Sequence, residues 1–251
     1  MLASGDHRID YIIRVDDDDG VTLDLIGDLK NEFSIHPIVR PRPITLGQAW
    51  NECVKDRFWD ICAVIADKHL CLTKGWDEGL AQIWEKGLPA ARWTLLRDEL
   101  ETVLILSRQW YDATHQVFPE WFPFWFSERW VYEVHQLAFA TGIPRITNLI
   151  MDEPSFRTQN LRDLEFWFAF FAKSRIARIA EARTVCDAFG RVMPDIQPIV
   201  AEMRRADEWQ IPRIPGYYET RGAPSGDPSP QYLEAKRRAE AWLAEHIPHA
   251  A

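Results

Sequence analysis

The chain has 251 residues, 47% of them hydrophobic, which suffices for one large α/β domain or a domain with an extension. Its formal charge of −9 excludes a general nucleic-acid binder, which needs a basic footprint, but leaves room for a nucleotide held by a few local cations. The four cysteines (Cys53, Cys62, Cys71 and Cys186) form no Cys-x-x-Cys pair and no zinc spacing, so a reducing, cytoplasmic setting is expected, with Cys62 as a small core residue.

In chain order, residues 9–15 read as a strand. The run Tyr11-Ile-Ile-Arg-Val-Asp-Asp-Asp-Asp19 is apolar and then abruptly acidic, as a buried parallel strand looks where its C-terminal end opens into a ligand crevice. No signal peptide is expected ahead of it. Residues 21–32 have apolar positions at helical spacing, and 34–39 read as a second strand. The Arg40-Pro-Arg-Pro43 stretch is extended, because a residue before proline is pushed out of the α region. Thr45 is the expected N-cap of a helix over 46–56.

Ile61-Cys-Ala-Val-Ile-Ala-Asp67 repeats the pattern of an apolar strand ending in acid. A turn at Thr73-Lys-Gly-Trp-Asp77 leads into a helix over 76–86. Residues 91–96 and 102–106 read as strands around an acidic loop at 97–101, followed by a short helix over 107–115. Phe118-Pro-Glu-Trp-Phe-Pro-Phe-Trp-Phe126 is a loop crowded with aromatics and broken by two prolines. A helix over 127–140, N-capped by Ser127, and a strand over 144–151 complete the first domain, residues 1–155. Residues 156–251 read as a helical extension: a long helix or helix pair over 160–190, a Pro/Gly-rich connector around 208–229 and a helix over 230–246. The aromatic run 166–172 is too short to span a bilayer, so no transmembrane segment is expected. No internal repeat is visible.

The candidate chemistry lies at the strand ends. Asp16, Asp17, Asp18 and Asp19 repel one another, so they form either a solvated loop with helix-capping duty or a site where one or two carboxylates accept from a ribose or a base. Asp67 offers an oxygen ligand to a divalent cation that bridges a diphosphate, and Lys68 offers a point charge to the same group. His69 reads as a surface histidine. The 12 Trp and 13 Phe are core residues by default, although Trp121, Trp125 or Trp130 could stack on a sugar face.

Taken together, Val15-Asp-Asp-Asp-Asp19, Arg42-Pro-Ile-Thr-Leu-Gly-Gln-Ala-Trp-Asn51, Asp60-Ile-Cys-Ala-Val-Ile-Ala-Asp67 and Gly75-Trp-Asp77 resemble the nucleotide-sugar half of a family 2 type glycosyltransferase with the GT-A fold. Leu106-Ser-Arg-Gln-Trp110 and Glu128-Arg-Trp130 resemble its acceptor half. The likeness extends over residues 8–155 and lies in the order and spacing of the motifs.

The resemblance implies a Rossmann-like, mixed and mostly parallel sheet flanked by helices. It implies transfer of a sugar from a nucleoside-diphosphate sugar to an acceptor hydroxyl, with inversion. By the same likeness Asp16 or Asp17 contacts the base or ribose, Arg42 and Asn51 sit near the nucleotide, and Trp76 and Asp77 shape the donor or acceptor pocket. Glu128 takes the place of the catalytic base. Asp67 takes that of the first acid binding Mn2+ or Mg2+ and the diphosphate.

The chain departs from the family pattern in three places. No strand with a Ser/Thr-Arg-Gly-Arg-Pro-like turn comes first, Lys68 replaces the paired acid, and Asp152 stands where a histidine is expected. The departures also fit a catalytically degenerate binding or interaction protein. A nucleotidyltransferase is a third reading, weakened because Gly20, Gly27 and Gly47 form no phosphate loop. A serine hydrolase lacks its Gly-x-Ser-x-Gly elbow.

Overall fold

The computed structural model describes residues 7–65, 69–95, 103–123, 126–152, 162–210, 213, 216 and 226–247. It is a mixed α/β protein in two compact units. The first comprises Met1–Pro119 with Ile143–Pro154, and the second Glu120–Gly142 with Ser155–Ala251. Residues 120–142, grouped with the first 155 in the sequence reading, thus cluster with the C-terminal helices.

The first unit opens with β1 (Tyr11–Asp16), α1 (Gly20–Leu29) and β2 (Ile35–Arg40), a β-α-β unit whose strands pair in parallel from Tyr11 opposite Ile35 to Asp16 opposite Arg40. Val15 and Ile26 are its buried residues. Asp19 starts α1: its carboxylate accepts from the Thr22 amide at 3.1 Å and the Thr22 hydroxyl at 2.6 Å. α2 (Leu46–Val54) begins at the expected cap, where Thr45 Oγ1 accepts from the Gln48 amide at 3.2 Å and Gln48 Oε1 accepts from the Ile44 amide at 3.0 Å. That exchange closely follows a capping box.

A second sheet contains β3 (Ile61–Ala63), β4 (Leu70–Cys71), β5 (Ala90–Leu95), β6 (Leu104–Ser107) and β7 (Arg145–Asp152), in the order β3-β6-β5-β7-β4. Among the described residues only β5 and β7 are parallel in it; the other three pairings are antiparallel. The expectation of one mostly parallel sheet is corrected accordingly. Residues 96–103 are too few for a parallel crossover, so β6 must return beside β5 in the antiparallel sense. β4 escaped the sequence reading because two residues leave no periodicity.

α3 (Trp76–Glu85) covers this sheet, and Trp76, Ile83, Ala91, Trp93, Val103, Ile105 and Ile146 form the core beneath it. Ser107, expected inside a helix, instead caps α4 (Arg108–Thr114) by accepting from the Trp110 amide at 3.2 Å.

The second unit is helical. α5 (Ser127–Phe139) is followed after the excursion through β7 by α6 (Leu164–Lys173), α7 (Arg175–Ala188), α8 (Gln197–Gln210) and α9 (Pro230–His246). The expected cap at Ser127 is not used. Phe126, in a left-handed conformation with φ 71°, precedes the helix, and Ser127 is its buried first residue. Such a backbone is strained for a bulky side chain. Packing over-determines it: Phe126 stacks on Phe171 at 5.1 Å and meets Phe168 edge-on at 4.8 Å. Phe122 sits centrally among Phe126, Trp130, Trp167, Phe170 and Phe171, so Phe122 and Phe126 of the aromatic loop are core.

The long helix or helix pair predicted over 160–190 is a pair, divided at Ser174. The Ser174 hydroxyl donates to the Phe171 carbonyl at 3.1 Å and accepts from Arg178 at 3.2 Å. Among the described residues no helix is long and apolar enough to cross a membrane.

Candidate functional site

The acidic run divides by role. Asp19 is spent on the α1 cap, and the Thr22 hydroxyl, followed by the Thr22 amide, lowers its pKa. Asp17 donates its amide to the Arg40 carbonyl at 2.9 Å, tying the ends of β1 and β2 together, while its residue surface is exposed. Asp16 turns into a polar chain that joins both strands to α2. One of its oxygens pairs with Arg14, and the other lies 3.2 Å from Arg42 Nε. Arg42 reaches on to Asp18 at 3.3 Å.

Behind Asp16, the buried Arg14 side chain places Nε 3.4 Å from Glu52 and also donates to the Arg40 and Pro41 carbonyls. Gln48 Nε2 donates to Glu52 at 3.1 Å, which completes the chain. Asp16 is therefore a fixed acceptor with one deep and one outward guanidinium. The Arg14 side chain is 7% exposed and that of Arg42 is 62%. A carboxylate has about four acceptor directions, so two such pairings leave lone pairs for a hydroxyl or an N–H.

The sequence reading missed Arg14, Gln48 and Glu52. The signals were present: Arg14 lies two residues before Asp16 on the same strand face, and Gln48 and Glu52 are four apart on α2.

Asn51 is clamped to the chain rather than left open. Its Oδ1 accepts from the Val117 amide at 2.8 Å and the Phe118 amide at 3.3 Å, and its Nδ2 donates to the Phe118 carbonyl at 2.9 Å. Trp50 packs on Phe118 at 4.7 Å, and a Cβ at Gly47 would lie 2.2 Å from the Pro119 carbonyl oxygen. These three residues seat α2 against residues 117–119.

Trp76 and Asp77 open α3 and are each 4% exposed, so Trp76 is a core residue packed 5.9 Å from Trp93. Asp77 adds its charge to burial in pushing the Tyr11 hydroxyl up. Burial pushes the Cys53 thiol up to about 11 and the Cys62 thiol to about 12, so neither is a thiolate nucleophile.

Asp67 and Lys68 lie outside the described residues. Asp152 ends β7 with its backbone in register with Leu70; its side chain is likewise outside the description. Among the described residues no group of three or more His, Cys, Asp and Glu is arranged to hold a metal ion. Glu128 belongs to the second unit, half-buried in the first turn of α5, where a carboxylate is favoured by the helix dipole. Trp121 packs in that unit between Phe170 and Trp242, and Trp130 donates to Glu181 at 2.7 Å with its ring buried. Trp125 lies outside the described residues.

The sequence matches no protein-family model and no curated protein.

Proposed function

We propose that this chain is a glycosyltransferase of the GT-A type, moving a sugar from a nucleoside-diphosphate sugar to an acceptor hydroxyl with inversion. The observation that carries the reading is Asp16 at the C-terminal end of a strand in a parallel β-α-β unit, its carboxylate oriented by Arg14 and Arg42. Ligands of such units bind beyond the carboxyl ends of the strands, where an acidic side chain accepts from ribose hydroxyls.

In the proposed reaction Glu128 takes the proton of the acceptor hydroxyl. The oxygen forms a bond to the sugar C1 as the bond from C1 to the diphosphate breaks, and the electron pair departs with the nucleoside diphosphate. Arg42 and Lys68 are the cations proposed to meet its charge. Asp67 and Asp152 are the ligands the resemblance would give a divalent cation, which would supply further neutralisation when bound.

A second reading, a catalytically degenerate binding or interaction protein, is favoured by Lys68 in place of the paired acid. Calorimetric titration with UDP and GDP, with and without Mn2+, followed by incubation with UDP-glucose and GDP-mannose, tests both readings. Binding with release of nucleoside diphosphate supports the transferase. Little or no binding removes the transferase and supports the degenerate protein, and binding without release under any acceptor mixture removes turnover.

A further inference from the structure

One face of α5 turns polar residues into a cavity. Arg129, Tyr132, Glu133 and Gln136 follow one another at positions i, i+3, i+4 and i+7, so they share that face. Glu202, Met203 and Ala206 of α8 line the other side, and the space between is about 210 Å³. A liquid water occupies about 30 Å³, so the cavity exceeds one water several-fold. The whole lining belongs to the second unit.

Most of the charge around the cavity is already paired. Behind its wall, Arg178 Nε lies 2.7 Å from Glu133 Oε2, and Arg175 Nε lies 3.6 Å from the same oxygen. Arg129 directs Nη2 to Asp207 at 3.3 Å and Nη1 to Gln210, and its guanidinium lies 5.0 Å from the centre of the Phe171 ring. Two polar atoms stay uncommitted. Glu133 Oε1 accepts no hydrogen bond from a described residue, although the side chain is only 7% exposed and lines the cavity. Arg129 Nε donates to no described residue and stands 3.9 Å from that oxygen. The gap is too long for a direct bond. One oxygen atom about 2.8 Å from each would bridge it, accepting from Nε and donating to Oε1.

Charge and hydrogen bonding together define the occupant. A cation would meet Arg129 on the wall, with Arg175 and Arg178 behind it, and an anion would meet Glu133 and Glu202. A carboxylate cannot take Arg129 at two points, because both Nη groups are engaged. A neutral hydroxyl both accepts and donates at a single atom. The Gln136 amide and the Glu202 carboxylate offer partners to further hydroxyls, while Tyr132, Met203 and Ala206 offer apolar area to C–H bonds. Pockets for drug-sized molecules run from about 300 Å³ upward, so the occupant is smaller than that. We propose that this cavity binds one neutral, polyhydroxylated ring of monosaccharide size, with a ring hydroxyl seated between Arg129 Nε and Glu133 Oε1. The inference uses no nucleotide chemistry and no residue of the proposed transfer, so it stands or falls apart from the transferase reading.

Backbone amide chemical shifts of the full chain, without nucleotide, test it during titration with D-glucose, D-galactose, D-mannose and D-xylose. At least one sugar should move the signals of residues 129–136 and 202–206 saturably at millimolar concentration. Ala206→Leu fills the cavity without touching the ion pairs and should weaken that binding by about tenfold or more, with the urea unfolding midpoint retained. Gln136→Ala removes one hydrogen-bonding partner and should weaken it as well, which keeps the test decisive if the leucine disturbs packing. Methyl glycosides of the bound sugar identify its source: acceptance means the terminal residue of a glycan, and exclusion means a free sugar. No saturable shift with any of the four sugars at hundred-millimolar concentration overturns the proposal. So do shifts that survive both substitutions, or movement of the same signals by ethylammonium or acetate and by none of the sugars.

Discussion

Arg42 holds its Nε 3.2 Å from the Asp16 carboxylate, so a residue beyond the end of β2 fixes the last residue of β1. The pairing makes Asp16, rather than its acidic neighbours, the oriented acceptor of the run. Asp16→Asn should weaken UDP binding by about tenfold, roughly 1.4 kcal/mol, because one strong acceptor is lost while Arg14 keeps Glu52. Asp18→Asn, at a largely solvated carboxylate, should change affinity less than twofold. Equal calorimetric affinities for wild type and Asp16→Asn would remove Asp16 from the proposed site.

Under the transferase reading, Glu128→Gln keeps the shape of the side chain and removes its basicity. Turnover of a nucleoside-diphosphate sugar should fall by about 100-fold or more. UDP affinity should stay unchanged, because the Asp16 and Arg42 pair is untouched. A variant that retains near-normal turnover would show that another group takes the acceptor proton.

What was legible in the sequence was local. The β1-α1-β2 unit followed from an apolar strand, a helical period and a second strand, and Thr45 announced α2 because a capping hydroxyl acts within three residues. What failed was decided by distant partners. Ser127 has the right chemistry for a cap, yet the stacking of Phe126 on Phe171 sets the backbone one residue earlier. The hydrogen bonds of the Asn51 amide to Val117 and Phe118, 66 and 67 residues away, are likewise invisible to any local pattern. The direction of β6 depended on a connection length. The pairing of Arg14 with Asp16 follows from their strand spacing, whereas its second partner, Glu52, stands 38 positions on in a helix, which no strand pattern encodes.

Two helical glycines illustrate the same difference. A Cβ at Gly27 in α1 meets nothing within 4 Å, whereas one at Gly47 in α2 runs into the Pro119 carbonyl. Gly27→Ala should stabilise the chain by about 0.5–1 kcal/mol through helix propensity. Gly47→Ala should destabilise it by about 1–3 kcal/mol, because backbone must move to admit the methyl group. Urea denaturation of both variants checks the opposite signs; stabilisation by Gly47→Ala would deny the close seating of α2 on residues 117–119.

In the second unit Arg178 is fully buried, 2.7 Å from Glu133 through Nε, and it also donates to the Phe171 carbonyl at 2.6 Å. Arg175 and Arg129 extend the network, pairing with Asp207 at 2.5 Å and 3.3 Å. Burial lowers the Arg178 pKa to about 10, which leaves it charged at neutral pH. Arg178→Met takes from the buried Glu133 carboxylate its 2.7 Å partner, leaving only the longer pairings with Arg175 at 3.6 Å and Arg129 at 3.9 Å, and should cost about 3 kcal/mol. Adding Glu133→Leu removes the under-partnered carboxylate and should recover part of that loss. A double-mutant cycle measures the recovery, and strictly additive losses would mean that the two residues are not coupled.

His135 gives the stability of this unit a defined pH dependence. It is buried on α5, and its Nδ1 lies 3.0 Å from the Thr141 carbonyl, which assigns the proton to Nδ1 in the neutral ring. Burial pushes its pKa down from 6.5 to about 4. Below pH 6.5 the unfolded chain takes up a proton that the folded chain refuses, so stability falls with falling pH. The stabilisation is complete above pH 6.5 and lost progressively toward pH 4. A shift of that size corresponds to about 3 kcal/mol across the window. His135→Gln keeps a donor for Thr141 but cannot titrate, so its unfolding free energy should decline less between pH 6.5 and 4.5 than that of the wild type. Parallel pH profiles for the two proteins would place the His135 titration near its ordinary value and exclude it as the source of the slope.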